Sequence, residues 1–155
     1  MPVLATLLSV LGLVPFIVCG LAALGPNAET ASRMLAALIG YGAVALAFSG
    51  GIHWGFALYA PKSSAMIGRV QLVLAILAPL LGWLALLLPL VVAPWFSLLL
   101  LTAAYIAQVM LEQKASKREQ LPPGYLWLRW GFTLVAVAVM VTVLTLRVVG
   151  ESLSS

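Results

Sequence analysis

Residues 37–58 read "ALIGYGAVALAFSGGIHWGFAL" and contain no Asp, Glu, Lys or Arg. As a helix rising 1.5 Å per residue this stretch is about 33 Å long, enough to cross the roughly 30 Å hydrocarbon layer of a bilayer. One ionisable side chain interrupts it, His53, which is the only histidine among 155 residues. Both features hold for the chain at large. It is 64% hydrophobic and 8% charged, with a mean hydropathy of +1.17, whereas soluble domains carry roughly 25% charged residues. A core of this size cannot hide that much apolar surface, so lipid must act as solvent. The composition predicts an all-α integral membrane protein and excludes a soluble domain.

Working outward, five segments are long and apolar enough to span: about 4–24, 31–60, 65–88, 94–113 and 125–149, forming a single domain over 1–155. Pro26 and Asn27 break the chain after the first, with Asn27 placed to cap the second helix, and Ser64 and Pro94 suit the starts of the third and fourth. Pro15 and Pro79 fall inside spans, where proline kinks a helix more often than it ends one. No basic residue precedes the first apolar run, so it reads as a span rather than a signal peptide. Cys19 within it reads as a small apolar filler.

The net charge of +4 reads as topology rather than as attraction to nucleic acid. Lys62, Arg69, Lys114, Lys117, Arg118 and Arg129 cluster at one set of helix ends, against Arg33 and Arg147 at the other. Basic residues collect on the cytoplasmic side, so the N-terminus is expected inside and the C-terminus outside, in a bacterial inner membrane. Trp95, Tyr125, Trp127 and Trp130 suit interfacial anchors.

His53 lies nine residues before Lys62, about 13 Å along the helix, within the inner-leaflet half. Ala43, Ala47, Gly51 and Gly55 form a stripe of small residues at steps of four, a pattern that lets another backbone approach. His53 falls nearly opposite this stripe and shares a face with Ser49, a candidate partner for the ring. Gln71, Tyr105, Gln108, Glu112 and Arg129 lie at a similar depth on three other spans. Unpaired polar groups are costly in lipid, so several of these side chains are expected to meet.

"ALIGYGAVALAFSGGIHWGFAL", "LLGWLALLLP" (80–89), "AYIAQVMLE" (104–112) and "LPPGYLWLRWGFTL" (121–134) together resemble an uncharacterised family of small membrane proteins. It includes bacterial inner-membrane members and mitochondrial relatives of the kind called transmembrane protein 69, and it is grouped as a domain of unknown function. The resemblance covers about residues 10–145. It implies a five-helix membrane domain with no activity to inherit. It also implies an acidic residue at the end of the third segment, matched by Glu112, and admits Arg where this chain has His53, which counts against a role that requires imidazole.

The chemistry-bearing residues are few. One Cys, one His and four acids do not make up a metal-ligand set of three or four, and haem ligation lacks a Cys-x-x-Cys-His. There is no nucleophile elbow, phosphate-cradling loop or pair of intramembrane acids. No catalytic residue, metal or cofactor is therefore expected. A transporter or proton-translocating oligomer would place ionisable groups near the midplane and show internal symmetry, and neither is visible, so that reading stays as a further alternative in which several copies build one pathway. Two broader classes come ahead of it. In the first, the chain is a non-enzymatic accessory, structural or assembly subunit, bound to another membrane protein or to copies of itself. In the second, the inner-leaflet polar layer holds a lipid or quinone.

Overall fold

The computed structural model describes residues 3–59, 65–116 and 124–154, and these form five α-helices. They are α1 (Val3–Ala23), α2 (Ala28–Tyr59), α3 (Ala65–Leu87), α4 (Trp95–Ser116) and α5 (Tyr125–Ser154). A short 3-10 turn, Leu88–Leu90, carries Pro89 between α3 and α4. All five helices are long and apolar enough to cross a membrane. Helices suit that setting because each satisfies its own backbone hydrogen bonds where no water is available.

Local chemistry sets the helix ends. The Asn27 side chain accepts a hydrogen bond from the Thr30 amide at 3.0 Å, so α2 begins at Ala28, three residues before the expected start. Glu29 and Arg33 pair on its exposed first turns. At the end of α1, the Arg147 guanidinium reaches across from α5 and donates to the Ala23 carbonyl at 2.9 Å, covering an acceptor the helix leaves open. Gly124 sits immediately before α5 with φ 82°, a left-handed conformation that favours glycine. The positions of Lys62, Ser64, Lys117 and Arg118 lie outside the described residues.

The helices form a closed round. α1 packs on α2 and α5, α4 packs on α3 and α5, and α2 packs on α3 and also reaches α4. α2 and α4 are the most enclosed. In the middle of the bundle Phe16, Leu38, Leu46, Leu98, Leu101 and Met140 are fully buried. The Phe16 ring meets Tyr41, Phe132 and Tyr105 edge-on, with centroids 5.2, 5.8 and 6.1 Å away, a geometry that aromatic quadrupoles favour. One ring thus touches aromatic side chains from three other helices.

α2 and α3 approach closely, through glycines other than the expected pair. A Cβ on Gly50 would lie 2.7 Å from the Ala75 carbonyl oxygen and 2.9 Å from Ala78 Cβ. Ala75 is the residue four before Pro79, so its carbonyl has lost the usual intrahelical donor, and Gly50 leaves room for it. On α3, a Cβ on Gly82 would lie 2.8 Å from the Ala43 carbonyl oxygen. Of the expected stripe, Ala43 is buried and Ala47 half-buried, whereas Gly51 is exposed. Among the described residues of the other helices, nothing lies within 4 Å of the Cβ position of either Gly51 or Gly55. Within the chain, the packing glycine of α2 is therefore Gly50, about 100° around the helix from Gly51.

Candidate functional site: a buried ion-paired cluster beside a lateral cavity

Consecutive helices alternate in direction, so the end of α2, the start of α3, the end of α4 and the start of α5 lie together. Each contributes one polar side chain to a common point. His53 on α2 is fully buried, with Nδ1 2.5 Å from Gln71 Oε1 on α3 and Nε2 2.9 Å from Glu112 Oε1 on α4. Arg129 on α5 donates its Nε–H to both Glu112 oxygens, at 3.1 and 2.9 Å. Glu112 is fully buried and Arg129 is 7% exposed. The His53 ring is also flanked edge-on by Phe56, which in turn meets Tyr125.

The logic of this arrangement is electrostatic. A carboxylate taken out of water is costly unless it is paired and its lone pairs are satisfied. Glu112 receives Arg129 on one side and His53 on the other. The imidazole bridges the two neighbours, Nε2 facing the Glu112 carboxylate and Nδ1 facing the Gln71 amide, a group that can either accept or donate.

The structure brings together four of the expected polar-layer residues, His53, Gln71, Glu112 and Arg129. The others go elsewhere. Tyr105 donates to the Gly42 carbonyl at 2.9 Å and ties α4 to α2. Gln108 is buried one turn from Glu112, and neither its Nε2 nor its Oε1 has a partner among the described residues. Ser49 is buried but is not bonded to the ring, because Gln71 and Glu112 occupy both nitrogens. Arg129 itself differs from an interfacial anchor: Glu112 turns it inward, so it belongs to the bundle interior.

Two contributors were not expected. Tyr125 and Thr133 stand one turn on either side of Arg129; the Thr133 hydroxyl is buried without a partner among the described residues, and the Tyr125 hydroxyl is buried beside the Glu112 carboxylate. Their spacing of four from Arg129 was visible in the sequence. Tyr125 read as a membrane anchor and Thr133 as an ordinary span residue, so neither drew attention.

Beside the cluster, between α1, α2 and α5, lies a cavity of about 410 Å³. Its walls are mostly apolar, and three of its lining residues, Leu8, Val44 and Phe48, are exposed. Ser49, Tyr125 and Arg129 supply polar groups on its lining, and no acidic side chain among the described residues does. A guanidinium has five N–H donors; Arg129 gives its Nε–H to Glu112, and its buried Nη2 donates to nothing among the described residues. An otherwise greasy chamber is thus lined in part by unused hydrogen-bond donors. Among the described residues no group of three or more His, Cys, Asp or Glu side chains is placed to hold a metal ion.

No curated protein and no solved structure matches the chain. The model of a family described as "protein of unknown function (DUF3429)" matches residues 1–145, nearly the whole length, and the chain belongs to that family.

Proposed function

We propose that this multi-pass membrane protein binds an amphipathic small molecule, with its polar head on Arg129 and Tyr125 and its apolar part in the lateral cavity. The carrying observation is the Arg129 guanidinium, ion-paired to Glu112 through Nε while its Nη2, without a partner among the described residues, lines a mostly apolar chamber. Ligand sites commonly combine such apolar walls with a few convergent polar groups. The buried cluster is the scaffold: Glu112 and His53 fix Arg129 so that its remaining donors point where they are needed without a loss of side-chain freedom on binding. The protein is placed in a bacterial inner membrane with its N-terminus in the cytoplasm, following the basic residues of the two links. Arg129 leaves that count as an interior residue, and the remaining basic residues still favour the same side.

The test is native mass spectrometry of the protein extracted gently from its own membrane with lipids retained. A single chain or homo-oligomer carrying a small-molecule adduct is expected. Arg129→Gln and Tyr125→Phe should each reduce that adduct, the former by roughly ten- to a hundredfold, the value of a hydrogen bond to a charged group. A chain without any adduct, or an adduct indifferent to both changes, would sink the proposal.

An accessory-subunit role keeps one specific support. Gly51 and Gly55 leave open space on α2, and small residues allow a neighbouring membrane helix to approach. In that reading a second polypeptide copurifies in fixed stoichiometry, and Gly51→Leu detaches it.

A further inference from the structure

One turn deeper than the ionic cluster lies a second set of buried polar side chains. Gln108 stands four residues before Glu112, and Thr133 four residues after Arg129. α4 and α5 run in opposite directions and Glu112 meets Arg129, so these equal steps bring Gln108 and Thr133 to facing positions. The register continues further in. Leu101 and Met140 stand eleven residues from the same pair, and they converge on one point, 3.1 and 3.9 Å from the Cβ position of Gly42. Ser49, four residues before His53, reaches this level on α2 and is also buried.

Gln108 is 6% exposed and Thr133 2%. The amide nitrogen and oxygen of Gln108 and the hydroxyl of Thr133 are all without a partner among the described residues. Two exposed threonines of α5 behave differently. Thr142 donates to the Ala138 carbonyl at 2.7 Å and Thr145 to the Val141 carbonyl at 2.9 Å, whereas Thr133 makes no such bond to its own helix. Gln108 stands eight residues before Ser116, and Thr133 nine residues after Gly124, where the described parts of α4 and α5 meet the link between them. These are depths of about 12 and 14 Å, more than a side chain on that link spans.

A primary amide offers two donors and an acceptor oxygen, and a hydroxyl donates once and accepts. In a membrane interior such groups are costly when left bare. A direct Gln108–Thr133 bond would use one atom of the amide and leave the other bare. Water both donates and accepts, and a buried water typically makes about three hydrogen bonds to polar groups that lack other partners. The amide presents an N–H beside its oxygen, so one water can engage both and still have a hydrogen to give.

We propose that this level of the α4–α5 seam is a water-binding site. The water accepts from Gln108 Nε2–H, donates to Gln108 Oε1 and donates its second hydrogen to Thr133 Oγ1, bridging α4 and α5 one turn below the Glu112–Arg129 pair. Neither Gln108 nor Thr133 lines the lateral cavity, so this water is independent of that cavity's occupant.

The experiment is magnetisation transfer from water to the Gln108 side-chain amide. Paired laboratory-frame and rotating-frame NOE spectra are recorded on the full chain, labelled with nitrogen-15, in lipid nanodiscs. Wild type should show water cross-peaks to the Gln108 amide protons, with the signs of a long-lived dipolar contact rather than of chemical exchange. Thr133→Val exchanges the hydroxyl for a methyl of similar shape, and the cross-peaks should persist at reduced intensity. Thr133→Ser keeps a hydroxyl and should keep the wild-type intensity.

Absence of the cross-peaks in wild type overturns the site. Their complete loss in Thr133→Val also does, since magnetisation would then have passed through a threonine hydroxyl bonded directly to the amide. Undiminished cross-peaks in Thr133→Val overturn the bridge to α5. Cross-peaks to acyl-chain protons in place of water would mean that lipid fills this level, and overturn the assignment of water.

Discussion

The middle of the bundle and its His53 end are joined by different forces. Around Phe16 the helices meet through ring edges and interdigitated aliphatic side chains. Lipid tails are as apolar as these side chains, so what holds this layer is close packing rather than escape from water. Around Glu112, α2, α3, α4 and α5 are held by directional bonds between groups that lipid cannot solvate. The first region tolerates exchange among side chains of similar volume. The second does not, because removing one partner leaves another charged and unpaired. A membrane bundle can thus be adaptable over most of its length and rigid at the one level where a polar group must be aimed.

Variants that separate the two regions follow in order of expected effect. Glu112→Ala leaves Arg129 and His53 without their acceptor, and a loss of roughly 3–5 kcal/mol of unfolding stability is expected, read by denaturation in detergent. A change below about 1 kcal/mol would mean the cluster does not hold the helices together. Next, Gly50→Ala forces a methyl into the Ala75 carbonyl and Ala78, and overpacking of this kind costs about 1–3 kcal/mol. Gly51→Ala, one position on, meets open space and is expected to be neutral or to gain up to about 1 kcal/mol of helix propensity. Equal effects at the two sites would contradict the α2–α3 contact. Tyr105→Phe removes the bond to the Gly42 carbonyl from the apolar layer and should cost about 0.6 kcal/mol, the average for hydrogen bonds between membrane helices.

The contact between the ring and the carboxylate can be sharpened separately. Nitrogen-15 resonances of the His53 ring should show a proton on Nε2, the nitrogen that faces the Glu112 carboxylate. A proton on Nδ1 alone would contradict that pairing. His53→Arg keeps a donor able to face Glu112 and should lower stability less than His53→Leu, which keeps none. The reverse order, measured by the same denaturation, would mean that the His53–Glu112 contact does not hold α2 to α4.

Much of this architecture was legible along the chain. Long uncharged runs, prolines and Asn27 marked where helices lie, since span length and hydrogen-bond chemistry are local properties. Counting residues from Lys62 gave the depth of His53, and the same counting put Gln71, Glu112 and Arg129 in its layer. Their pairing was not legible. Depth follows from rise per residue, but partnership depends on the rotation of four helices about their own axes. A shift of one residue turns a side chain by about 100°. That is why Gly51 read as the packing residue where Gly50 packs, and Ser49 as the partner of an imidazole that reaches Gln71 and Glu112 instead.

By itself, then, the sequence determined that this chain is a helical membrane protein with a polar layer toward one end, because hydropathy and helical rise act residue by residue. Only the tertiary structure decided that Arg129 points inward to Glu112 by its Nε edge, leaving its Nη2 without a partner among the described residues beside a mostly apolar cavity. No single helix carries that information, because it resides in the azimuth and spacing of α1, α2, α4 and α5 together.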